Sequence, residues 1–160
     1  TLPLSHPQPL GLIWSNRTAD NLEVPSACPL EQLLTTLPPS HPWISLQSHL
    51  TAEEQTQLEQ AGIPQKTCTD RAELIQAIAA LDGLLTIDCE AAHLAAALGK
   101  PVWLMLPSPS HWVWGYGQST TPSATPWYPT VQIFRTLDPD DQSSLLNQFA
   151  AIWKVPPQQE

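Results

Sequence analysis

The chain has 160 residues, 42% of them hydrophobic, and a formal net charge of −9 from 6 Lys and Arg against 15 Asp and Glu. This length suits one domain with a real core, and the apolar content excludes a disordered chain. The acidic balance argues against nucleic acid as a partner, which needs clustered Lys and Arg, but a nucleotide held by a helix start and one or two cations stays compatible.

In chain order, residues 1–9 read as a linker, with His-Pro and Gln-Pro steps and little periodicity. Leu10 to Trp14 reads as a first strand, followed by the polar loop Ser15 to Val24. Pro29 opens a helix whose positions Leu30, Leu33, Leu34 and Leu37 keep helical spacing, and Pro38-Pro39 stops it. Trp43 to Leu46 is a second strand, closed by Gln47. Thr51-Ala-Glu-Glu54 is a capping box that launches a polar helix toward Gly62. A short third strand is expected near Gln65 to Cys68, and Asp70-Arg-Ala-Glu73 starts a helix whose buried face is Leu74, Ile75, Ile78 and Leu81.

The stretch Leu84 to Pro107, LLTIDCEAAHLAAALGKPVWLMLP, carries the most information. An apolar run ends at Asp88, a small-residue helix with His93 near its start stops at Gly99, and Pro101 opens a second apolar run. Strand, helix, strand at this length is a compact parallel βαβ crossover. The carboxyl end of its first strand and the free N–H groups of its helix share the edge where open α/β sheets bind ligands and where phosphate is favoured. Residues Ser108 to Thr130 then form a long loop holding Trp112, Trp114, Tyr116, Trp127 and Tyr128. Loops of this length are functional or disordered, and the aromatic content speaks against disorder. Val131 to Phe134 reads as a last strand, and Asp138-Pro139 as the cap of a terminal helix carrying Leu145, Leu146, Phe149 and Trp153. Residues 155–160 read as a flexible tail.

Strands alternating with helices imply a Rossmann-like, three-layer α/β/α sandwich with a mostly parallel sheet, spanning residues 10–154. Three cysteines, Cys28, Cys68 and Cys89, without a CxxC pair fit a reduced, cytoplasmic setting. No apolar run reaches the ~20 residues of a membrane span. No signal-peptide pattern is visible in the Pro- and His-rich amino end, and the initial Thr in place of Met suggests a piece of a longer chain.

Ser15, Asn16 and Arg17 follow the first strand and open onto the ligand edge, as a phosphate or acceptor contact or as a solvated loop. Gln47 could read a base or a sugar hydroxyl, or simply close a turn. Asp88 could orient His93 or a ribose hydroxyl, or act as an N-cap. Cys89 and His93 lie four residues apart, but two ligands do not make the four of a structural zinc site, so no metal is expected. His93 could hold a phosphate, or pack against the sheet. Trp112 and Trp114 could stack on a sugar or cover a partner domain, whereas Trp127 and Tyr128 suit packing of the loop. No Ser-His-Asp order, P-loop or GxGxxG supports a hydrolase or kinase.

GLIWSN at Gly11–Asn16, PWISLQ at Pro42–Gln47, the Leu84–Pro107 stretch, HWVWG at His111–Gly115 and ATPWYPTVQIFR at Ala124–Arg135 occur in one order. Together they resemble the carboxyl-terminal half of heptosyltransferase-type glycosyltransferases, in particular the forms fused behind tetratricopeptide repeats in bacteria. The resemblance implies the carboxyl-terminal domain of a GT-B fold, which binds a nucleotide-sugar donor as substrate, without metal or cofactor. It also implies an N-terminal GT-B domain, or a repeat region of a longer chain, as partner. The catalytic base then comes from that partner, leaving the catalytic residues unknown and this chain inactive alone. In the family, the segment matching Asp88 to Pro101 lays backbone amides and a hydroxyl against the donor diphosphate. Asp88 and His93 match it, while Cys89 replaces a Thr and Glu90 a small residue. Those two replacements, the scarcity of cations and the net charge also fit an alternative, a degenerate domain serving as a protein-interaction or scaffold module. A carboxylate at Glu90 competes with phosphate for the first-turn amides, which predicts tighter nucleotide binding on Glu90→Ala with Cys89→Thr.

Overall fold

The computed structural model describes residues 8–18, 20, 28–106, 112–114, 123–136, 138 and 141–154. The tail at 155–160, most of the linker and much of the long aromatic loop therefore lie outside the described residues. Gln8 and Pro9, at the linker's end, are tied to Asp82: Gln8 N donates to its Oδ2 at 2.9 Å, and Asp82 N donates to the Pro9 carbonyl at 3.1 Å.

Five strands run parallel: β1 (Leu10–Leu12), β2 (Trp43–Ser45), β3 (Gly83–Ile87), β4 (Val102–Leu106) and, after the two-residue β5 (Ser123–Ala124), β6 (Val131–Arg135). β5 pairs antiparallel with β6, giving the order β2-β1-β3-β4-β6-β5. All residues of β1 and β3 are buried, as happens when helices cover both faces of a parallel sheet. The cover comes from α1 (Leu30–Thr36), α2 (Ala52–Gln60), α3 (Arg71–Ala79), α4 (Glu90–Ala97) and α5 (Gln142–Lys154). α1 packs against α2 and α5, while α3 packs against α4. Ala91, Ala92, Ala95 and Ala96 are buried, and their small side chains let α4 approach β3 and β4 closely.

The expected third strand is reduced to one parallel bridge, Gln65 to Ser45, flanked by Ser45 N donating to Pro64 O at 2.9 Å and Lys66 N donating to Ser45 O at 2.8 Å. Pro64, which has no N–H, and the polar Gln-Lys-Thr run offer little to extend it. Counted as a strand, it makes the parallel order 3-2-1-4-5-6, doubly wound, with the reversal between β1 and β3.

The helix starts follow local chemistry. Thr51 and Glu54 form the expected capping box on α2, and the Asp70 side chain accepts from Glu73 N at the start of α3. Gly62 and Gly99 adopt φ 68° and 72° just past α2 and α4, which glycine does without strain. Two expectations shift. Asp141, not Asp138, lies at the start of α5, where its Oδ1 accepts from Ser144 N at 3.0 Å; Asp138 N instead donates to Thr136 Oγ1. Cys89, not Asp88, is the N-cap of α4. Inside the aromatic loop, a 3-10 turn at Trp112–Trp114 and β5 are regular structure that periodicity did not signal.

Candidate functional site

Where the sheet order reverses, chain segments after β1, β2 and β3 diverge and leave a cleft of about 430 Å³. Ser15, Asn16 and Arg17 line one side, Leu46 and Gln47 the floor, and Cys89, Glu90 and Ala91 the start of α4. A fourth wall, Cys68 to Arg71 with Leu74, comes from the approach to α3. Six of the sequence-derived candidates (Ser15, Asn16, Arg17, Gln47, Cys89 and Glu90) thus meet in one place.

Each is held differently. Gln47 splints two strand ends: its Oε1 accepts from Trp14 N at 3.2 Å and Ser15 N at 3.1 Å, while its Nε2 donates to Ser15 O at 3.0 Å. Asn16 Nδ2 donates to the Asp88 carbonyl at 2.9 Å and joins the loops after β1 and β3. Ser15 is only 3% exposed, and its hydroxyl has no hydrogen-bond partner among the described residues. A buried hydroxyl left so is rare enough to require a reason. Cys89 gives α4 no side-chain cap; its Sγ lies 3.3 Å from Thr86 Oγ1. The opening turn of α4 therefore faces the cleft with the partial positive charge of a helix start.

The charges come in two pairs. Arg17 Nη1 donates to both oxygens of buried Glu54, at 2.6 and 2.5 Å, and Glu54 also accepts from Trp14 Nε1 at 2.8 Å and Thr51 N at 2.9 Å. Burial alone would raise the Glu54 pKa, but these hydrogen bonds and the Arg17 charge prevail and hold it below the usual carboxylate value. At the cleft mouth, Arg71 pairs with Glu90 across the starts of α3 and α4. Burial pushes the Cys68 thiol up; Lys66 opposes this, and Glu73 and Asp70 each add a smaller upward push, so it is mainly protonated at neutral pH.

The other candidates lie outside the cleft lining. Asp88 is half-buried, and its backbone carbonyl serves Asn16. His93 stacks on buried Trp114 with centroids 4.7 Å apart, and its Nδ1 lies 3.2 Å from the Tyr128 hydroxyl. Trp112 and Trp127 are 60% and 63% exposed, while the Trp114 carbonyl accepts from the buried Arg135 guanidinium. Burial lowers the Arg135 pKa from its ordinary value. Among the described residues no helix is long and apolar enough to cross a membrane.

Sequence reasoning missed Arg71 as a cleft residue, and missed Glu54 and Trp14, which lie behind the lining and hold Arg17 in place. A usable signal existed for Arg71. In a parallel sheet every helix that leads into the next strand starts at the carboxyl edge, so the first residue of α3 belongs beside the first residue of α4. At Glu54 the local pattern signals the α2 cap alone.

No protein-family model and no curated protein matches the chain. Among solved structures, E. coli heptosyltransferase WaaC with ADP-2-deoxy-2-fluoro heptose is similar at TM-score 0.59 and 12% identity, covering 95% of this chain and 44% of that one. The same enzyme with ADP is similar at TM-score 0.56 and 12% identity, covering 92% of this chain and 46% of the other. This chain therefore spans less than half the length of those structures. Its α/β Rossmann-like fold is that found in part of a GT-B glycosyltransferase.

Proposed function

We propose that the chain is the donor-binding half of a glycosyltransferase and takes the diphosphate of a nucleotide sugar at the start of α4. One observation carries the reading: the cleft at the sheet reversal joins an uncapped helix start to the unpartnered, buried Ser15 hydroxyl. Ser15, Asn16, Arg17, Gln47, Cys89 and Glu90 form the near walls. Asp88, His93 and Trp112 act further out, toward the sugar or the partner domain, while buried Trp114 backs the His93 ring. Binding needs neither metal nor cofactor. The partner is an N-terminal GT-B domain, or a tetratricopeptide-repeat region, of a longer bacterial, cytoplasmic chain. Calorimetry and thermal melts with ADP, UDP and GDP test this. A matching nucleotide at ~100 times its Kd should stabilise by about 2.7 kcal/mol and raise Tm by about 5–10 °C. No shift with any of the three refutes it.

A second reading, a degenerate domain used as a scaffold, is favoured by one specific observation. Both cleft arginines already face a carboxylate of the same chain, Glu54 or Glu90. The same melts separate the two, because a scaffold gains nothing from nucleotide.

A further inference from the structure

The two cleft arginines are held in opposite ways. The side chains of Arg17 and Glu54 are 11% and 9% exposed, and Glu54 serves Trp14 and Thr51 as well. Withdrawing Arg17 would strand a buried carboxylate, which is strongly unfavourable. Arg71 and Glu90 are 72% and 51% exposed, and among the described residues Glu90 is the one side-chain partner of Arg71. Such exposed pairs are weak because water competes for both members. Arg17 is thus a fixed charge and Arg71 an exchangeable one. Glu90 stands at the first position of α4, so the carboxylate that holds Arg71 also sets a negative charge in the turn whose amides would take an anion. Ser15, buried and unpartnered on the facing wall, independently marks this space as a ligand's.

We propose that Arg71 is a phosphate-binding residue and Glu90 its built-in competitor, so that a diphosphate displaces Glu90 and takes Arg71 over. This rests on the donor-binding reading and adds to it a cation and a self-masking step. A diphosphate wins the exchange because it brings more negative charge than one carboxylate and bonds the α4 amides at the same time.

Isothermal titration of the 160-residue chain with inorganic pyrophosphate, ADP, UDP and GDP tests it, using Arg71→Gln, Glu90→Gln, both together, and Arg71→Lys. Both side chains are exposed, so melts of the unliganded variants should match the parent. Arg71→Gln should weaken the diphosphates about tenfold, the size of one charge-assisted hydrogen bond, and Arg71→Lys should retain most of the affinity. Glu90→Gln should tighten binding several-fold, and most of this gain should be lost when Arg71 is also replaced, leaving only the part due to relief of repulsion at the α4 amides. A gain undiminished without Arg71 means simple repulsion and overturns the exchange. Affinity unchanged by Arg71→Gln overturns the inference but leaves the donor reading standing. Arg71-dependent pyrophosphate binding, with no nucleoside diphosphate bound more tightly, overturns the donor reading and keeps the role of Arg71. No binding of any probe, even by Glu90→Gln, overturns both.

Discussion

Glu54 joins three parts of the molecule through one carboxylate: the α2 cap, the Trp14 indole after β1 and the Arg17 guanidinium at the cleft. Glu54→Gln leaves Arg17 without its counter-charge in a nearly buried position and should cost about 2–4 kcal/mol, read from urea unfolding. The pH dependence follows from the depressed carboxyl pKa. Its stabilisation is full above the unfolded value of 4.5 and is lost as pH falls from there through the lower folded value. Melts between pH 7 and 3 should therefore show an acid-side loss for the parent that is smaller for Glu54→Gln. Equal slopes would mean that Glu54 does not drive it. Half of this residue's role was legible in the sequence. The Thr51-to-Glu54 spacing announces a capping box, but the bonds to Trp14 and Arg17 span 40 and 37 residues, and no local pattern encodes them. Gln47 was opaque for the same reason, since its partners sit 32 and 33 residues away.

At the scale of elements, β3 is central and buried throughout, and its first residue shows how tightly it is flanked. A Cβ on Gly83 would meet the Trp103 ring at 2.7 and 2.9 Å and the Pro101 carbonyl at 3.1 Å. That ring packs edge-on against Phe149 with centroids 6.4 Å apart, and the carbonyl accepts from Leu84 N at 2.9 Å. A Cβ on Gly11 meets mainly the ends of the Leu81 and Leu84 side chains, at 2.5 and 2.8 Å. Gly83→Ala should therefore cost about 1–3 kcal/mol, and more than Gly11→Ala, in paired denaturant titrations. The reverse order would mean that the ring moves more easily than the leucines. Most elements were legible because strong periodicity and Pro or Gly stops bound them. The third strand was legible in position but not in extent, since it shrinks from Gln65–Cys68 to one bridge at Gln65. The α5 start was misplaced because Asp138 and Asp141 are equally good caps and only the chain path selects between them.

For the whole molecule, the alternation of strands and helices already implied the doubly wound sheet, and the sheet reversal then fixed where the cleft lies. The sequence could not say how the cleft charges are paired, because Arg71 and Glu90 meet only after α3 and α4 pack side by side. The chain spans 44% of the heptosyltransferase it resembles, so the purified 160 residues should transfer no sugar from any nucleotide donor. Turnover above the uncatalysed background, measured with a labelled donor, would show that one Rossmann-like unit suffices.

The margins of the sheet carry one last consequence. On one side the outermost piece is β5, two residues long and running against its neighbour; on the other, β2 is followed by a solitary bridge through Gln65. Stubs this short give an incoming strand almost no ladder to extend, a common protection against amyloid-like stacking. Among the described residues, neither margin therefore offers a companion a strand to build on, which keeps the sheet from serving as glue.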